Sequence, residues 1–231
     1  MWFSLFLWGR KDPSYELVND NLAATINMYF ADFYANNCRS EVFFSDLCTL
    51  ASSKRVFADD YVEDGVPFYR GGEITLKQAG YPITNPLYIS EEHFQSLKSK
   101  YGTPVCGDIL ITAVGTIGNS YLVEDEEFYF KDGNIIWLKD FSIPEYSIFI
   151  YDYMQSDNFK KHLESICIGS TQTALTIVSL AQLKLCVPDK DLLTMYAEKS
   201  RVLRCKIQQN NKEILVLYDI AKTLLSALSN R

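Results

Sequence analysis

The sequence predicts a mixed α/β (α+β) domain framed by an N-terminal helix and a long C-terminal helix, and three observations carry that expectation. Between about residues 38 and 187, short β-prone runs bounded by Gly, Pro and Asn alternate with helix-like stretches. Near the start, Ser14 to Ala35 places Val18, Leu22, Ile26, Tyr29 and Phe33 on one stripe at helical spacing. Beyond Pro188 the apolar period becomes alternately three and four, a heptad pattern.

The elements follow in order. VPFYR (66–70) reads as a strand ending at Gly71 and Gly72, and PLYIS (86–90) as a strand leading into the short helix EEHFQSLKSKY. GDILITAV and IGNSYLVED read as adjacent strands, and FYFKDGNIIWLK as two β-prone runs around a Lys-Asp-Gly turn. Ser147 to Ile166 is helix-like, with Tyr151, Met154, Phe159 and Leu163 as its larger apolar groups. GSTQTALTI and LKLCVP then lead into the last helix, whose start is signalled by Pro188, Asp189 and Asp191. The expected division is a helical segment at 1–37, a globular domain at 38–187 and a coiled-coil helix at 188–231.

The seam of that helix runs through Leu193, Tyr196, Ser200, Leu203, Ile207, Asn210, Ile214, Leu217, Ala221, Leu224 and Leu228. Its length is on the order of 50 Å at about 1.5 Å per residue, more than the globular part could cover alone. A helix with such a stripe needs a partner, and Leu203, Ile207, Asn210, Ile214, Leu217 and Leu224 are the expected dimerisation residues.

Composition narrows the function. A chain of 231 residues with 48% hydrophobic content can bury a substantial core. The apolar start MWFSLFLW is too short to span a bilayer, and its basic residues Arg10 and Lys11 follow rather than precede it, so a soluble cytoplasmic protein is expected. Six cysteines without a Cys-x-x-Cys pair argue against a zinc ribbon or a disulfide framework and read as buried reduced thiols. His93 and His162 lack partners at metal-ligand or catalytic spacing. The net charge is −7, but unevenly spread: residues 37–190 hold 13 Lys and Arg against 21 Asp and Glu, whereas residues 191–231 hold 7 against 4. An acidic globular part counts against casual assignment to nucleic acid, because affinity for phosphates comes mainly from Lys and Arg.

The stretch GDILITAVGTIG (107–118) poses the sharpest question. No lysine follows its glycines, which removes a phosphate-binding P-loop, and strand-like residues follow Gly118, which removes a dinucleotide fingerprint. Gly115-Thr-Ile-Gly118 joins two strands, not the two helices of a KH loop. Neither a Gly-x-Ser-x-Gly elbow nor a His-Glu-x-x-His pair is present, and the run Glu124 to Glu127 reads as a solvated strand end. A metal nuclease is the least favoured class. What remains is a hairpin turn whose glycines serve the backbone or let it approach a ligand closely.

The order of segments is more specific than any one of them. VPFYRGGEIT (66–75), GDILITAVGTIGNSYLV (107–123), GSTQTALTI (169–177) and LKLCVPDKDL running into a heptad helix closely resemble the target-recognition unit of type I restriction-modification specificity (S) subunits. The resemblance covers about residues 38–231, and MYFADFY resembles the aromatic-rich end of the family's preceding helix. It departs at Thr173, where the family often has Pro, and at Pro188-Asp189-Lys190, where a Pro-Pro-Leu run is common.

The resemblance implies a non-catalytic, sequence-specific recognition subunit for double-stranded DNA, with one target-recognition domain where a whole S subunit has two. It implies methyltransferase (M) and restriction (R) subunits as partners. S-adenosylmethionine and ATP would be bound by those partners, so the chain itself needs no cofactor. A second copy would supply the missing recognition domain in a homodimer. Expected DNA contacts are Lys54, Arg55, Arg70, Thr116, Asn119, Ser170 and Gln172, with Lys160 and Lys161 on phosphate. With Lys77, Lys98 and Lys100, these cations are expected to form one positive face despite the acidic balance. An S-like regulatory or decayed protein that docks through its helices without binding DNA stays open as the second reading.

Overall fold

The computed structural model describes residues 13–167 and 174–229. In chain order its elements are α1 (Pro13–Asn37), β1 (Ser40–Phe43), α2 (Phe44–Leu47), β2 (Thr49–Ala51), β3 (Tyr61–Val62), β4 (Val66–Tyr69), α3 (Gly71–Gln78), β5 (Leu87–Ile89) and α4 (Glu91–Tyr101). They continue with β6 (Ile109–Thr112), β7 (Ser120–Leu122), β8 (Tyr129–Phe130), β9 (Ile135–Lys139), α5 (Glu145–Gln155), α6 (Asp157–Ile166), α7 (Ile177–Ala181), β10 (Lys184–Val187) and α8 (Lys190–Ser229).

Local sequence sets several boundaries. Ser90 caps α4 by accepting from the His93 N–H at 3.2 Å, Glu91 and Glu92 occupy its first turn, and Gly102 ends it at φ +79°. The single helix expected over Ser147–Ile166 is two helices, because Ser156 leaves helical geometry and caps α6 from the Phe159 N–H at 3.3 Å. A hydrogen bond of 2.6 Å between the Tyr153 hydroxyl and His162 Nδ1 holds α6 against α5.

The strands form a two-stranded pair β1-β10 and two four-stranded sheets, β2-β9-β6-β7 and β3-β5-β4-β8. Period-two alternation stacks the sheets. In β6 and β9, Ile109, Ile111, Ile136 and Leu138 face a helical layer made by α1, α5 and the start of α8. Leu110, Ile135 and Trp137 point the other way and meet Tyr69 and Phe130 of the second sheet. That sheet's far face, with Phe68, Ile89 and Tyr129, is covered by Phe94 and Leu97 of α4. The central strands β6 and β9 are thus buried on both faces, which explains the unbroken buried runs ILIT and IIWL. Within this core the Asp108 carboxylate accepts from Trp137 Nε1–H at 2.8 Å and the Val105 N–H at 3.0 Å. Burial nevertheless pushes its pKa up.

FYFKDGNIIWLK is not a hairpin. β8 pairs in parallel with β4 in one sheet, whereas β9 pairs with β2 and β6 in the other, so the Lys-Asp-Gly turn crosses between sheets. The helix α3 over EITLKQ was not foreseen either; Glu73 starts it by reaching back to the Arg70 N–H at 2.9 Å.

The first partner of the long helix is the chain itself. Helix α1 lies antiparallel to α8: Tyr29 stacks on Tyr196, Asn210 Nδ2 donates to Asn19 Oδ1 at 2.8 Å, and Tyr15 donates to Glu213 at 2.7 Å. The two polar interruptions of the seam are satisfied internally, Asn210 by Asn19 and Ser200 by Asp152. Of the expected dimerisation residues, Asn210 and Ile214 are buried, Leu203 and Ile207 half-buried, and Leu217 and Leu224 exposed. Not every cysteine is buried: Cys38 and Cys48 are, whereas Cys106 and Cys205 are exposed, and all six are free.

Candidate nucleic-acid interface

Strand register brings separate sequence segments to one end of the two sheets. Thr112 pairs with Ile135, so the turn after β6 and the turn before β9 lie side by side, joined by the Ala113 N–H to the Asn134 carbonyl at 2.8 Å. β2 reaches the same end: Ser52 Oγ accepts from the Gly133 N–H at 3.3 Å, and Ser53 Oγ donates to the Phe130 carbonyl at 2.7 Å. β4 ends there too, because the Lys131 N–H donates to the Tyr69 carbonyl at 2.9 Å. Val114 bridges to Ala174, and the Leu175 N–H donates to the Ala113 carbonyl at 2.9 Å.

The glycine turn is fixed from within. Thr112 is fully buried; its hydroxyl donates to the Thr116 carbonyl and accepts from the Asn119 N–H at 3.0 Å, drawing the two sides of the turn together. Gly115 and Gly118 adopt φ +79° and +93°, conformations that favour glycine. A Cβ on Gly118 would sit 2.4 Å from Leu163 Cδ2, so the absent side chain also lets α6 pack on the turn. Thr75 of α3 fastens the other side: its hydroxyl lies 3.1 Å from that of Thr116 and accepts from Asn119 Nδ2 at 3.0 Å.

The expected contact residues fall as follows. Arg70, Thr116 and Asn119 lie together around α3 and the turn, with Thr116 exposed and Asn119 half-buried. Lys54 and Arg55 follow β2 at the same end; Arg55 Nε donates to Asp132 at 2.8 Å, and Lys54 Nζ lies 5.6 Å from the centre of the Tyr101 ring. Lys160 and Lys161 are exposed on α6, with Lys160 on Asp157 at 2.9 Å. Ser170 and Gln172 lie outside the described residues, although Ala174 beside them belongs to this end.

The basic residues do not make a single free positive face. Arg70 holds Glu73 through Nη2 at 2.6 Å and Nε at 3.2 Å. Burial works against ionisation of Glu73, but the Arg70 hydrogen bonds prevail and lower its pKa. Lys77 and Lys98 are drawn to Glu126 and Glu127, beyond the opposite end of β7. The acidic run is therefore not simply solvated; Glu126 also accepts from the Tyr121 hydroxyl at 2.5 Å. Sequence reasoning missed Lys131, half-buried beside Arg70, and the tethers Ser52, Ser53 and Thr75. The turn KDG was legible, but its place beside Arg70 follows from the parallel β4-β8 pairing, which no local pattern announces.

Among the described residues, no three His, Cys, Asp or Glu side chains group to hold a metal ion, and no helix is long and apolar enough to cross a membrane. The model for the type I restriction modification DNA specificity domain matches residues 40–226, most of the chain. The chain belongs to that family. A Haemophilus influenzae protein named as a type I restriction enzyme specificity subunit is 31% identical over 144 residues, which is 62% of this chain and 34% of that protein. The crystal structure of a type I restriction-modification S subunit from M. genitalium aligns with a TM-score of 0.59 at 18% identity, over 92% of this chain and 57% of that one. The HsdS subunit from Thermoanaerobacter tengcongensis aligns with a TM-score of 0.54 at 12% identity, over 88% of this chain and 50% of that one. The chain thus has the specificity-subunit fold, and spans about half the length of those solved subunits and a third of the Haemophilus protein.

Proposed function

We propose that the chain is a non-catalytic, sequence-specific DNA-recognition subunit that works in the cytoplasm with methyltransferase and restriction subunits. The observation that carries this reading is the convergence of residues 52–55, 70–75, 113–119, 131–133 and 174 on one end of the sheets. That end combines exposed turns with Arg55, Arg70 and Lys131, the residue types that meet phosphates and base edges. Base contacts are assigned to Lys54, Arg55, Arg70, Thr116, Asn119, Ser170 and Gln172, and phosphate contacts to Lys160, Lys161 and Lys131. S-adenosylmethionine and ATP are bound by the partner subunits.

Residues 38–187 act as the recognition domain, and the flanking segments that contain α1 and α8 carry it. A second copy supplies the other recognition domain in a two-fold dimer, using Leu217 and Leu224, which α1 leaves exposed. Gel-shift assays on a randomised duplex pool, with and without the M subunit, test this function. Selection of a preferred sequence is the expected result. No sequence-dependent binding in either condition would sink this reading, and no DNA binding at all would favour a helical docking role instead.

A further inference from the structure

Arg55 and Asp132 meet in a way that Arg70 and Glu73 do not. Arg55 Nε donates to Asp132 Oδ2 at 2.8 Å, and among the described residues its two terminal nitrogens have no partner. The Asp132 side chain is 15% exposed and that of Arg55 65%, so the carboxylate is seated in the protein surface while the guanidinium faces solvent. Arg70 instead meets Glu73 through both Nε and Nη2, which closes one whole side of its guanidinium.

Both partners stand on pinned backbone. On the Arg55 side, Val56 is buried, the Lys54 N–H donates to the Tyr129 hydroxyl at 2.9 Å and Ser53 Oγ donates to the Phe130 carbonyl at 2.7 Å. On either side of Asp132, the Lys131 N–H is held by the Tyr69 carbonyl at 2.9 Å and the Gly133 N–H by Ser52 Oγ at 3.3 Å. An arginine fixed in this way loses little freedom when it forms a pair of hydrogen bonds.

A guanidinium held by Nε keeps both terminal nitrogens for two parallel donations, the geometry that meets O6 and N7 of guanine in the major groove. The same carboxylate offsets the charge, so a phosphate, which carries no base identity, gains little from Arg55. A neutralised fork therefore discriminates between bases more than it adds affinity.

We propose that Asp132 is a positioning residue that turns Arg55 into a reader of a guanine in the major groove and withholds it from phosphates. This rests on the DNA-recognition reading, and adds to it the base read and the residue behind the contact.

Selection from a randomised duplex pool tests the assignment, in the condition, with or without the M subunit, in which the parent chain selects a sequence. The parent should select a guanine at one position where Arg55→Ala and Asp132→Ala each relax the preference by on the order of 10-fold. Arg55→Lys should fail to restore it, because an ammonium has no planar fork. On a duplex lacking the selected sequence, Asp132→Ala should bind more tightly and steepen the slope of log affinity against log salt by about 0.9, since Arg55 is then free to meet a phosphate. Adding Arg55→Ala to Asp132→Ala should return that slope to the parent's. Asp132→Asn, which keeps an acceptor oxygen but no charge, should steepen the slope alike and keep more of the guanine preference. The pair lies at the surface, so each variant should keep the far-UV spectrum of the parent.

A merely structural Asp132 would lower affinity for every sequence alike and leave the slope unchanged, and that result overturns the proposal. So does a guanine preference that survives both alanine variants, or a selected sequence without such a position; in either case the recognition reading stands. A parent chain that selects no sequence overturns that reading and this assignment with it.

Discussion

One buried carboxylate ties α5 to α8, beside the packing of Tyr196 on Phe149. Asp152 of α5 is 1% exposed and accepts from three residues of α8 spaced four apart: the Tyr196 hydroxyl at 2.5 Å, the Ser200 hydroxyl at 2.6 Å and the Arg204 guanidinium. Arg204 also lies over the Tyr151 ring, 4.4 Å from its centre, and its buried Nε has no partner among the described residues. Asp152→Ala therefore strands a buried cation and two hydroxyls. Breaking a buried pair on one side costs about 3–5 kcal/mol, a large part of the roughly 5–15 kcal/mol that holds a typical protein folded. Urea unfolding followed by circular dichroism reads the loss. Asp152→Ala with Arg204→Met should lose less than Asp152→Ala alone, because the unpaired charge is gone. A loss below about 1 kcal/mol for Asp152→Ala, or strictly additive effects in the pair, would refute the tie assigned to this charge cluster.

Other outcomes follow from the same geometry. Lys131→Ala and Lys161→Ala should each lower the slope of log affinity for DNA against log salt by about 0.9, whereas Lys199→Ala on α8 should leave it unchanged. Gly118→Ala should cost about 1–3 kcal/mol in urea unfolding, through its positive φ and the contact with Leu163. Gly72→Ala meets open space, so it should leave stability within about 1 kcal/mol of the parent. Burial pushes the Cys38 and Cys48 thiols up to about 12, so alkylation at pH 8 read by peptide mass should label exposed Cys205 and Cys106 first.

What the sequence made legible was local. The capped helix EEHFQSLKSKY, the adjacent strands around GTIG and the two framing helices each carry their own period and end signals. The parallel β4-β8 pair was not legible, because parallel pairing joins segments whose patterns do not refer to each other. The stripe of α8 is legible, yet nothing in its Leu193, Tyr196, Ser200 spacing distinguishes a second chain from the same chain's α1. At the proposed interface, the glycine motif itself points to Thr116 and Asn119, whereas Lys131 comes beside Arg70 only because two sheets share an end. The acidic run reads as solvated because Lys77 reaches Glu126 only through a tertiary contact, and the Tyr121 hydroxyl meets it across the turn that follows β7.

If one end of the sheets meets DNA, as proposed, amide hydrogen exchange of the chain alone and with its selected duplex will show it. Protection at residues 52–55, 113–119 and 131–133, with α4 and the last turns of α8 unchanged, is the predicted footprint. Protection confined to α4 or to α8, with those three turns exchanging as in the free chain, would contradict it.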